Sequence, residues 1–328
     1  DETGRAAVAP VGSPDPSAFF APRRWLRMDV LVFGAGSLGT LVGALLARVH
    51  DVTLVGREPH VSRVAERGVR VSGAVEDRTR PDATTDGTGH SADLAVVTVK
   101  SFDTPPAADA LATGSFDAVL SLQNGLTEGE LAARLDAPVL AGTATYGARL
   151  RDPGHVECTG VGRVVLGARR GGTDPRAERA GKAFRDAGIE TLVAADMPRR
   201  RWEKLAVNAG VNAVTALSRV ENGALADGPG YELAHRAARE TARVARAEGV
   251  SLSNRRARRA LDEVVAATSA NRSSMLQDVD AGRRTEVEAI HGVVVERAET
   301  HRLAAPTNRT LADLLRTWER GRGVRSEE

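Results

Sequence analysis

The stretch DVLVFGAGSLGTLVGALLARVHDVTLVGREP, residues 29–59, decides the fold of this chain. An apolar run at 29–33 enters a G-x-G-x-x-G loop, an Ala/Leu-rich helix follows, and a second apolar run occupies 51–55. A glycine loop in this strand–loop–helix–strand context indicates a dinucleotide site, with the pyrophosphate at the helix N-terminus; the alternative is a glycine-rich turn without a ligand. The residues predicted to bind the cofactor are Gly34, Ala35, Gly36, Ser37, Leu38 and Gly39.

The end of the second strand bears on the choice of dinucleotide. NAD sites usually place Asp or Glu about 20 residues past the glycines, whereas NADP sites tend to place an arginine there. This chain has Gly56-Arg57, and an arginine can bind a 2′-phosphate through two charge-assisted hydrogen bonds. We therefore predict NADPH as the cofactor, with NADH as the second choice because Glu58 is adjacent. The alternative is that Arg57 is one solvated arginine among many.

Further strand-like runs at 93–100, 117–122, 138–143 and 161–167 alternate with helix-capable segments. This alternation predicts a Rossmann-type, doubly wound, mostly parallel sheet. From residue 196 to about 320 the periodicity becomes helical, so the predicted fold class is α/β plus all-α. The predicted domains are a disordered extension at 1–27, a cofactor domain at 28–195, a helical substrate domain at 196–322 and a tail at 323–328.

Composition narrows the classes of partner. The 328 residues carry 45 Lys and Arg against 43 Asp and Glu, and the arginines are interleaved with acids, so we expect no nucleic-acid partner. No apolar run is long enough for a membrane span, so we expect no membrane partner. Cys158 is the single cysteine, which excludes an internal disulfide and a thiolate-rich metal site. We expect a cytoplasmic protein that takes a small-molecule substrate and no metal; the oligomeric state stays open, a homodimer included.

Two polar residues follow strands of the predicted sheet. Lys100 ends the run at 93–100, and Asn124 follows the run at 117–122. In a doubly wound sheet, ligands bind beyond the carboxyl ends of the strands, so both residues should face the cofactor crevice. For Asn124, which precedes a glycine, a simple turn is an equal alternative.

RWEKLAVNAGVN, residues 201–212, places Lys204, Asn208 and Asn212 on one stripe of an otherwise apolar helix. Buried polar side chains cost free energy unless they are hydrogen-bonded, so the stripe should face a polar cavity, although each asparagine alone could instead satisfy a neighbouring helix. Lysine occurs only three times in this chain, at 100, 182 and 204. A desolvated lysine can give up a proton where arginine cannot, so we predict that Lys204 is a general acid.

The stretch SSMLQDVDAGRRTEVEAIHG, residues 273–292, contains two further candidates. Ser274 with Gln277 resembles a capping box, and its structural role would be to start a helix. Glu286 lies where the next helix opens, and a carboxylate is favourable there by the helix dipole alone.

Taken together, GAGSLG, the strand-end lysine, QNG, RWEKLAVNAGVNAVTAL, SSMLQDV and GRRTEVEAIHG resemble the ketopantoate reductases (2-dehydropantoate 2-reductases) over residues 28 to about 318. The resemblance implies NADPH-dependent reduction of 2-dehydropantoate to pantoate, a step towards pantothenate and coenzyme A. It implies that Lys204 is the catalytic acid, assisted by Glu286. It also implies substrate contacts from Asn208, Asn212, Ser274 and Asn124, and cofactor contacts from Lys100, Asn124 and Glu286.

Two positions depart from the family pattern. Asp103 replaces the glutamine of a K-x-x-Q pattern, and we expect this acid near the nicotinamide end of the cofactor. His291 replaces the asparagine of I-N-G, and we interpret it as tolerated packing. Two other functions stay open from the sequence: an NADP-linked reductase of another 2-keto acid or imine, and a non-catalytic NADPH-sensing protein.

Overall fold

The computed structural model describes residues 27–325. The extension predicted at 1–27 lies outside the described residues except for Arg27, and so do the last three residues of the predicted tail. The strands are β1 (Asp29–Phe33), β2 (Asp51–Val55), β3 (Val69–Gly73), β4 (Asp77–Thr79), β5 (Asp82–Thr84), β6 (Ser91–Val97), β7 (Ser115–Ser121), β8 (Val139–Ala144), β9 (Gly147–Asp152), β10 (His155–Gly160), β11 (Val164–Ala168) and β12 (Thr191–Val193).

The α-helices are α1 (Ser37–Leu46), α2 (His60–Arg67), α3 (Thr104–Leu111), α4 (Glu128–Arg134), α5 (Pro175–Asp186), α6 (Met197–Ser218), α7 (Gly228–Ala247), α8 (Asn254–Ala267), α9 (Ser274–Asp280), α10 (Val293–Thr300) and α11 (Pro306–Gly321). Two 3-10 turns, Ser101–Asp103 and Asn222–Leu225, and one π-turn, Glu288–Gly292, complete the regular structure of the described residues.

The main sheet has eight strands in the order β12-β11-β8-β7-β6-β1-β2-β5. Every neighbouring pair is parallel except β8 with β11. Alternate residues of β1 pack on opposite faces: Val30 and Val32 belong to a core shared with α1 and α5, whereas Leu31 belongs to a core shared with α3 and α4. Helices therefore cover both faces, and the predicted doubly wound, mostly parallel sheet is confirmed.

A second, four-stranded sheet, in the order β4-β3-β10-β9, was not predicted from the sequence. Its strands are short and partly exposed, and β9 and β10 form a hairpin around the turn at 153–154. The sheet lies against the start of α1, because the backbone N–H of Leu150 donates to Ser37 Oγ over 3.0 Å. The extra sheet thus supports the glycine loop from outside the main sheet.

Residues 197–321 are helical, as predicted, and pack around α6 in a separate apolar core. Leu205, Ala209 and Ala213 of α6 are at most 1% exposed, so the helix runs through the middle of this half. Among the helices described for residues 27–325, none combines the length and apolar character needed to cross a bilayer. The domain boundary at 195/196 stays a prediction.

Candidate active site

The glycine loop has the shape of a dinucleotide cradle. Gly34 has a φ of +115°, and a Cβ there would lie 2.6 Å from the backbone N of Val99. A Cβ at Gly39 would collide with the carbonyl oxygen of Gly34. Around Gly36, in contrast, nothing lies within 4 Å of a Cβ position, so this side of the loop is open. Two glycines serve tight packing, and the third leaves room for a ligand to approach the backbone.

The helix behind the loop is free to bind an anion. The N-cap residue of α1 is Gly36, and no side chain among residues 27–325 caps this N-terminus. The Ser37 hydroxyl is occupied by the small sheet, and the N–H groups of Gly34 and Ala35 both donate to Val55 O, at 2.9 and 2.8 Å. The Gly36 N–H donates to Gly34 O over 2.7 Å, so it is the open space beside Gly36 and the uncapped first turn of α1 that fit a pyrophosphate.

Arg57 follows β2 beside this loop. A Cβ at the preceding Gly56 would lie only 2.7 Å from Ala35 Cβ, so the two segments are in close contact. The Arg57 side chain is 86% exposed, and its Nη2 donates to Asp103 Oδ2 over 2.9 Å. Glu58, whose carboxylate accepts from the N–H of Ser62, does not pair with Arg57. The 3-10 turn after Lys100 carries the Asp103 carboxylate to Arg57, so the expectation of an acid at the nicotinamide end and the prediction of a 2′-phosphate at Arg57 cannot both hold.

Glu286 joins the two halves of the chain. Its Oε2 accepts from Asn124 Nδ2 over 2.8 Å and lies 3.5 Å from Lys100 Nζ. Its Oε1 accepts from the backbone N–H of Ser101 over 3.0 Å. The residues that follow β6 and β7 therefore meet the carboxylate of the helical half, and the cofactor crevice predicted at these strand ends stays a prediction.

Asp278 is a member of this cluster that the sequence analysis did not single out. Its Oδ2 accepts from Lys100 Nζ over 2.6 Å, and its Oδ1 accepts from Arg283 Nη2 over 3.1 Å. The side chain is 5% exposed. The available signal was its place in SSMLQDV, about one helical turn after Ser274 on α9. A buried carboxylate is stable there because two cations satisfy it.

The ionised forms of this cluster stabilise one another. Burial by itself would raise the pKa of Glu286, but the Lys100 charge and hydrogen bonds from Asn124 and Ser101 outweigh it and lower the pKa. Burial would likewise lower the pKa of Lys100, but the charges of Glu286 and Asp278 raise it overall. Glu286 and Lys100 are therefore both charged near neutral pH.

Lys204 lies in a different environment. Its Nζ donates to the carbonyl oxygen of Ala144, at the end of β8, over 3.3 Å. Burial lowers the pKa of Lys204, and the charges of Glu286 and Glu128 oppose this shift without cancelling it. A lysine with a lowered pKa gives up its proton more readily than an ordinary lysine, and the role of Lys204 as a general acid stays a prediction.

The asparagines of the stripe extend along α6 from Lys204. Asn208 is half-buried and Asn212 is 5% exposed. Neither side-chain amide has a hydrogen-bond partner within residues 27–325. Neither amide is among the fully buried polar atoms that lack a partner, so both reach open space that a ligand can enter.

Ser274 is the first residue of α9 and is exposed. The capping box proposed for it was wrong by one position, because Ser273 is the N-cap and accepts from the backbone N–H of Leu276 over 3.1 Å. The Ser273 hydroxyl also accepts from Thr215 Oγ1 of α6 over 2.8 Å, which fixes it in the capping position. The hydroxyl of Ser274 is thereby left out of helix capping.

A buried ion pair lies near Lys204 that the sequence analysis also did not single out. Arg201 Nη1 donates to Glu128 Oε2 over 2.5 Å, and the side chains are 13% and 2% exposed. Arg201 is one turn before Lys204 on α6, and Glu128 begins α4. No spacing in the sequence connects these positions, so only the fold reveals the pair.

Comparisons with known proteins agree with this arrangement. The family model described as "Ketopantoate reductase PanE/ApbA" matches residues 30–171, and its C-terminal counterpart, "Ketopantoate reductase PanE/ApbA C terminal", matches residues 196–319. A 2-dehydropantoate 2-reductase of Halobacterium salinarum is 48% identical over 302 residues, which cover 89% of this chain and 99% of that protein. A 2-dehydropantoate 2-reductase of Archaeoglobus fulgidus is 38% identical, with 89% and 98% covered.

Solved structures share the fold of this chain. A PanE/ApbA family ketopantoate reductase from Ralstonia eutropha JMP134 superposes with a TM-score of 0.82 at 30% identity, covering 90% of this chain and 100% of that one. A D-mandelate dehydrogenase with NADH and anilino(oxo)acetate shares the fold, with a TM-score of 0.84 at 20% identity and coverage of 91% and 100%. Since family models match both halves and relatives well above 30% identity cover nearly the whole described chain, this chain belongs to the ketopantoate reductase family.

Proposed function

We propose that this chain is a 2-dehydropantoate 2-reductase, which reduces 2-dehydropantoate to (R)-pantoate on the way to pantothenate and coenzyme A. The observation that carries the proposal is the polar stripe of α6. Lys204 has a lowered pKa, and Asn208 and Asn212 carry amides without partners in the described residues. A polar, hydroxylated keto acid offers the carbonyl, hydroxyl and carboxylate groups that such a stripe can bind.

A nicotinamide dinucleotide fits the cradle formed by the glycine loop and α1. The open space beside Gly36 supports a pyrophosphate there, and the exposed Arg57 beside the loop supports a 2′-phosphate, hence NADPH rather than NADH. Lys100, Asn124 and Glu286 line the crevice beyond the strand ends, and we assign the nicotinamide end of the cofactor to them.

The residues of the crevice would donate the proton and bind the substrate. The bound nicotinamide would supply hydride to the C2 carbonyl of the substrate. Lys204 would donate the proton to the carbonyl oxygen, and its lowered pKa makes this transfer easier than from an ordinary lysine. Asn208, Asn212, Asn124 and Ser274 would hold the polar ends of the substrate, which keeps the reacting carbon in place. Glu286 raises the pKa of Lys204 electrostatically and so keeps the acid protonated.

The test is the steady-state oxidation of NADPH and NADH with 2-dehydropantoate by the wild type, Lys204→Arg and Lys182→Arg. Lys182 is the matched control, because it is an exposed lysine of α5 that pairs with Asp186. We expect Lys204→Arg to lose at least about a hundredfold in kcat, as for removal of a general acid, and Lys182→Arg to keep wild-type rates. Equal rates in all three proteins would refute the role of Lys204.

The pH dependence provides a second readout. A general acid must be protonated, so the rate of reduction should fall as the pH rises through the lowered pKa of Lys204, that is, below 10.5. Turnover of other 2-keto acids but not of 2-dehydropantoate would favour a related reductase. Tight NADPH binding without any turnover would favour a sensor.

Location and assembly complete the proposal. The lone Cys158 is a buried, free thiol, which fits a reducing compartment, and we propose a cytoplasmic enzyme. A homodimer and the lack of a nucleic-acid partner stay predictions; sedimentation analysis and a binding assay with DNA test them.

A further inference from the structure

The Arg57–Asp103 ion pair brings an acid to the group that the proposed function assigns to the 2′-phosphate. Arg57 Nη2 donates to Asp103 Oδ2 over 2.9 Å, at the end of β2 beside the glycine loop. The Arg57 side chain is 86% exposed, whereas that of Asp103 is 29% exposed. The Asp103 carboxylate is therefore less exposed than the Arg57 guanidinium, and within the described residues it is the guanidinium's hydrogen-bond partner.

Asp103 does not cap the helix that follows it. It ends the 3-10 turn Ser101–Asp103 and occupies the N-cap position of α3, yet its side chain accepts no hydrogen bond from that helix. Within the described residues, the one hydrogen bond of the Asp103 side chain is to Arg57. The 3-10 turn runs directly into α3, so Asp103 lies in the first turn of a continuous helical segment, where a carboxylate is favourable, and its side chain is directed to Arg57.

We propose that Asp103 lowers the selectivity of this chain for NADPH over NADH by neutralising Arg57. The proposal rests on the proposed function, and specifically on its assignment of Arg57 to the 2′-phosphate.

The physical argument is electrostatic. A 2′-phosphate carries between one and two negative charges and binds an arginine through paired N–H groups. A carboxylate already hydrogen-bonded to that arginine must be displaced from it, and it also repels the phosphate as a like charge. NADH has a hydroxyl at this position and meets neither penalty.

Binding of the adenosine half separates this effect from catalysis. We would titrate the full chain calorimetrically with adenosine 2′,5′-bisphosphate and with AMP, which differ only in the 2′-phosphate. The variants are Asp103→Asn, Asp103→Gln, Arg57→Ala and the double variant Arg57→Ala/Asp103→Asn. The matched control is Asp186→Asn, which removes an aspartate from an exposed ion pair on α5.

We expect Asp103→Asn and Asp103→Gln to raise the affinity for adenosine 2′,5′-bisphosphate about tenfold and to leave that for AMP within about twofold. Asp186→Asn should change neither. In the Arg57→Ala background, the rise in affinity for adenosine 2′,5′-bisphosphate caused by Asp103→Asn should be at least about threefold smaller, because the guanidinium that Asp103 neutralises is absent. The NADPH/NADH ratio of kcat/KM should rise in parallel in Asp103→Asn.

Three results would overturn the proposal. The affinity for adenosine 2′,5′-bisphosphate could stay unchanged in both Asp103 variants, the affinity for AMP could rise equally, or the rise could be undiminished in the Arg57→Ala background. Failure of the proposed function would look different. In that case 2-dehydropantoate would not be turned over, while the discrimination between the two nucleotides would still respond to Asp103.

Discussion

His291 lies in the π-turn after Glu286 and is fully buried. Its Nδ1 lies 2.9 Å from Asn308 Oδ1, and Asn308 Nδ2 donates to Ala237 O and Glu240, so Nδ1 carries the proton. Its Nε2 is buried without a hydrogen-bond partner in the described residues. Burial lowers the pKa of His291 to about 4, so the fold holds a neutral imidazole.

This histidine should make stability depend on pH. Its folded pKa of about 4 lies below the ordinary 6.5, so the unfolded chain binds the proton first as the pH falls. Its contribution is complete above pH 6.5 and is lost as the pH falls towards about 4, by up to about 3 kcal/mol. Urea unfolding of the wild type and His291→Asn between pH 4 and 7 measures this loss, which should be smaller in the variant. His90→Asn, on an exposed loop, should keep the wild-type slope; an unchanged slope in His291→Asn would contradict the prediction.

The glycine loop allows a matched pair of alanine substitutions. Gly39→Ala would drive a methyl group into the backbone oxygen of Gly34, which cannot move aside, so it should destabilise the fold by about 1–3 kcal/mol or more. Gly36→Ala has open space around it and should change stability by no more than about 0.5 kcal/mol.

Gly36→Ala should nevertheless weaken dinucleotide binding, since the methyl group would occupy the side from which a pyrophosphate approaches. We expect a loss of about tenfold or more in NADPH affinity. Thermal unfolding and fluorescence titration of both variants measure the two effects. Full affinity in Gly36→Ala would mean that the cofactor does not approach this side of the loop.

The Glu128–Arg201 ion pair joins α4 to α6, and we expect it to stabilise the fold. Glu128→Gln leaves the 13%-exposed Arg201 without its counter-charge, which should cost about 3–5 kcal/mol of unfolding free energy. Glu130→Gln on the same helix breaks only an exposed pair with Arg134 and should cost less than about 1 kcal/mol. Equal effects in chemical denaturation would show that the buried pair is no more important than the exposed one.

At the scale of the whole molecule, Glu286 ties the helical half to the sheet. The backbone N–H of Ser101 donates to its Oε1 over 3.0 Å, so the exchange rate of this amide reports the contact. In Glu286→Ala we expect the Ser101 amide to exchange with deuterium at least about tenfold faster. Glu288→Ala, two residues on, removes only contacts to Arg316 and Arg325 and should leave Ser101 protected. Unchanged protection in Glu286→Ala would mean that other contacts hold the halves together.

The sequence predicted the parts of this molecule whose signal is local. β1 and β2 were predicted with their observed bounds, because runs such as Asp29–Phe33 are apolar on both faces and end at glycine. The long helical half was predicted because its periodicity is sustained from α6 onwards. The solitary Lys204 on an apolar helix was informative for the same reason: one charged residue departs from a clear local pattern.

The parts that the sequence did not predict depend on contacts between distant segments. The small sheet pairs β3 with β10, about 85 residues apart, and its half-exposed strands carry no apolar run. Asp278 pairs with Lys100, and Asp103 pairs with Arg57. The fold brings each pair together from distant parts of the sequence, so neither contact could be read from a local pattern. Ser273, and not Ser274, caps α9, because Thr215 donates a hydrogen bond to the Ser273 hydroxyl. The two residues are 58 positions apart in the sequence.

The π-turn Glu288–Gly292 has a further consequence, for insertions and deletions. A π-turn holds one residue more than an α-helical turn, and each α-helical residue advances the chain by about 100°. Deleting a single residue there would let α10 continue as a regular helix but would rotate Glu286 by that angle, away from Asn124 and Lys100. The number of residues in this turn thus fixes the direction in which the Glu286 carboxylate points, and a one-residue deletion there should abolish its contacts with Asn124 and Lys100.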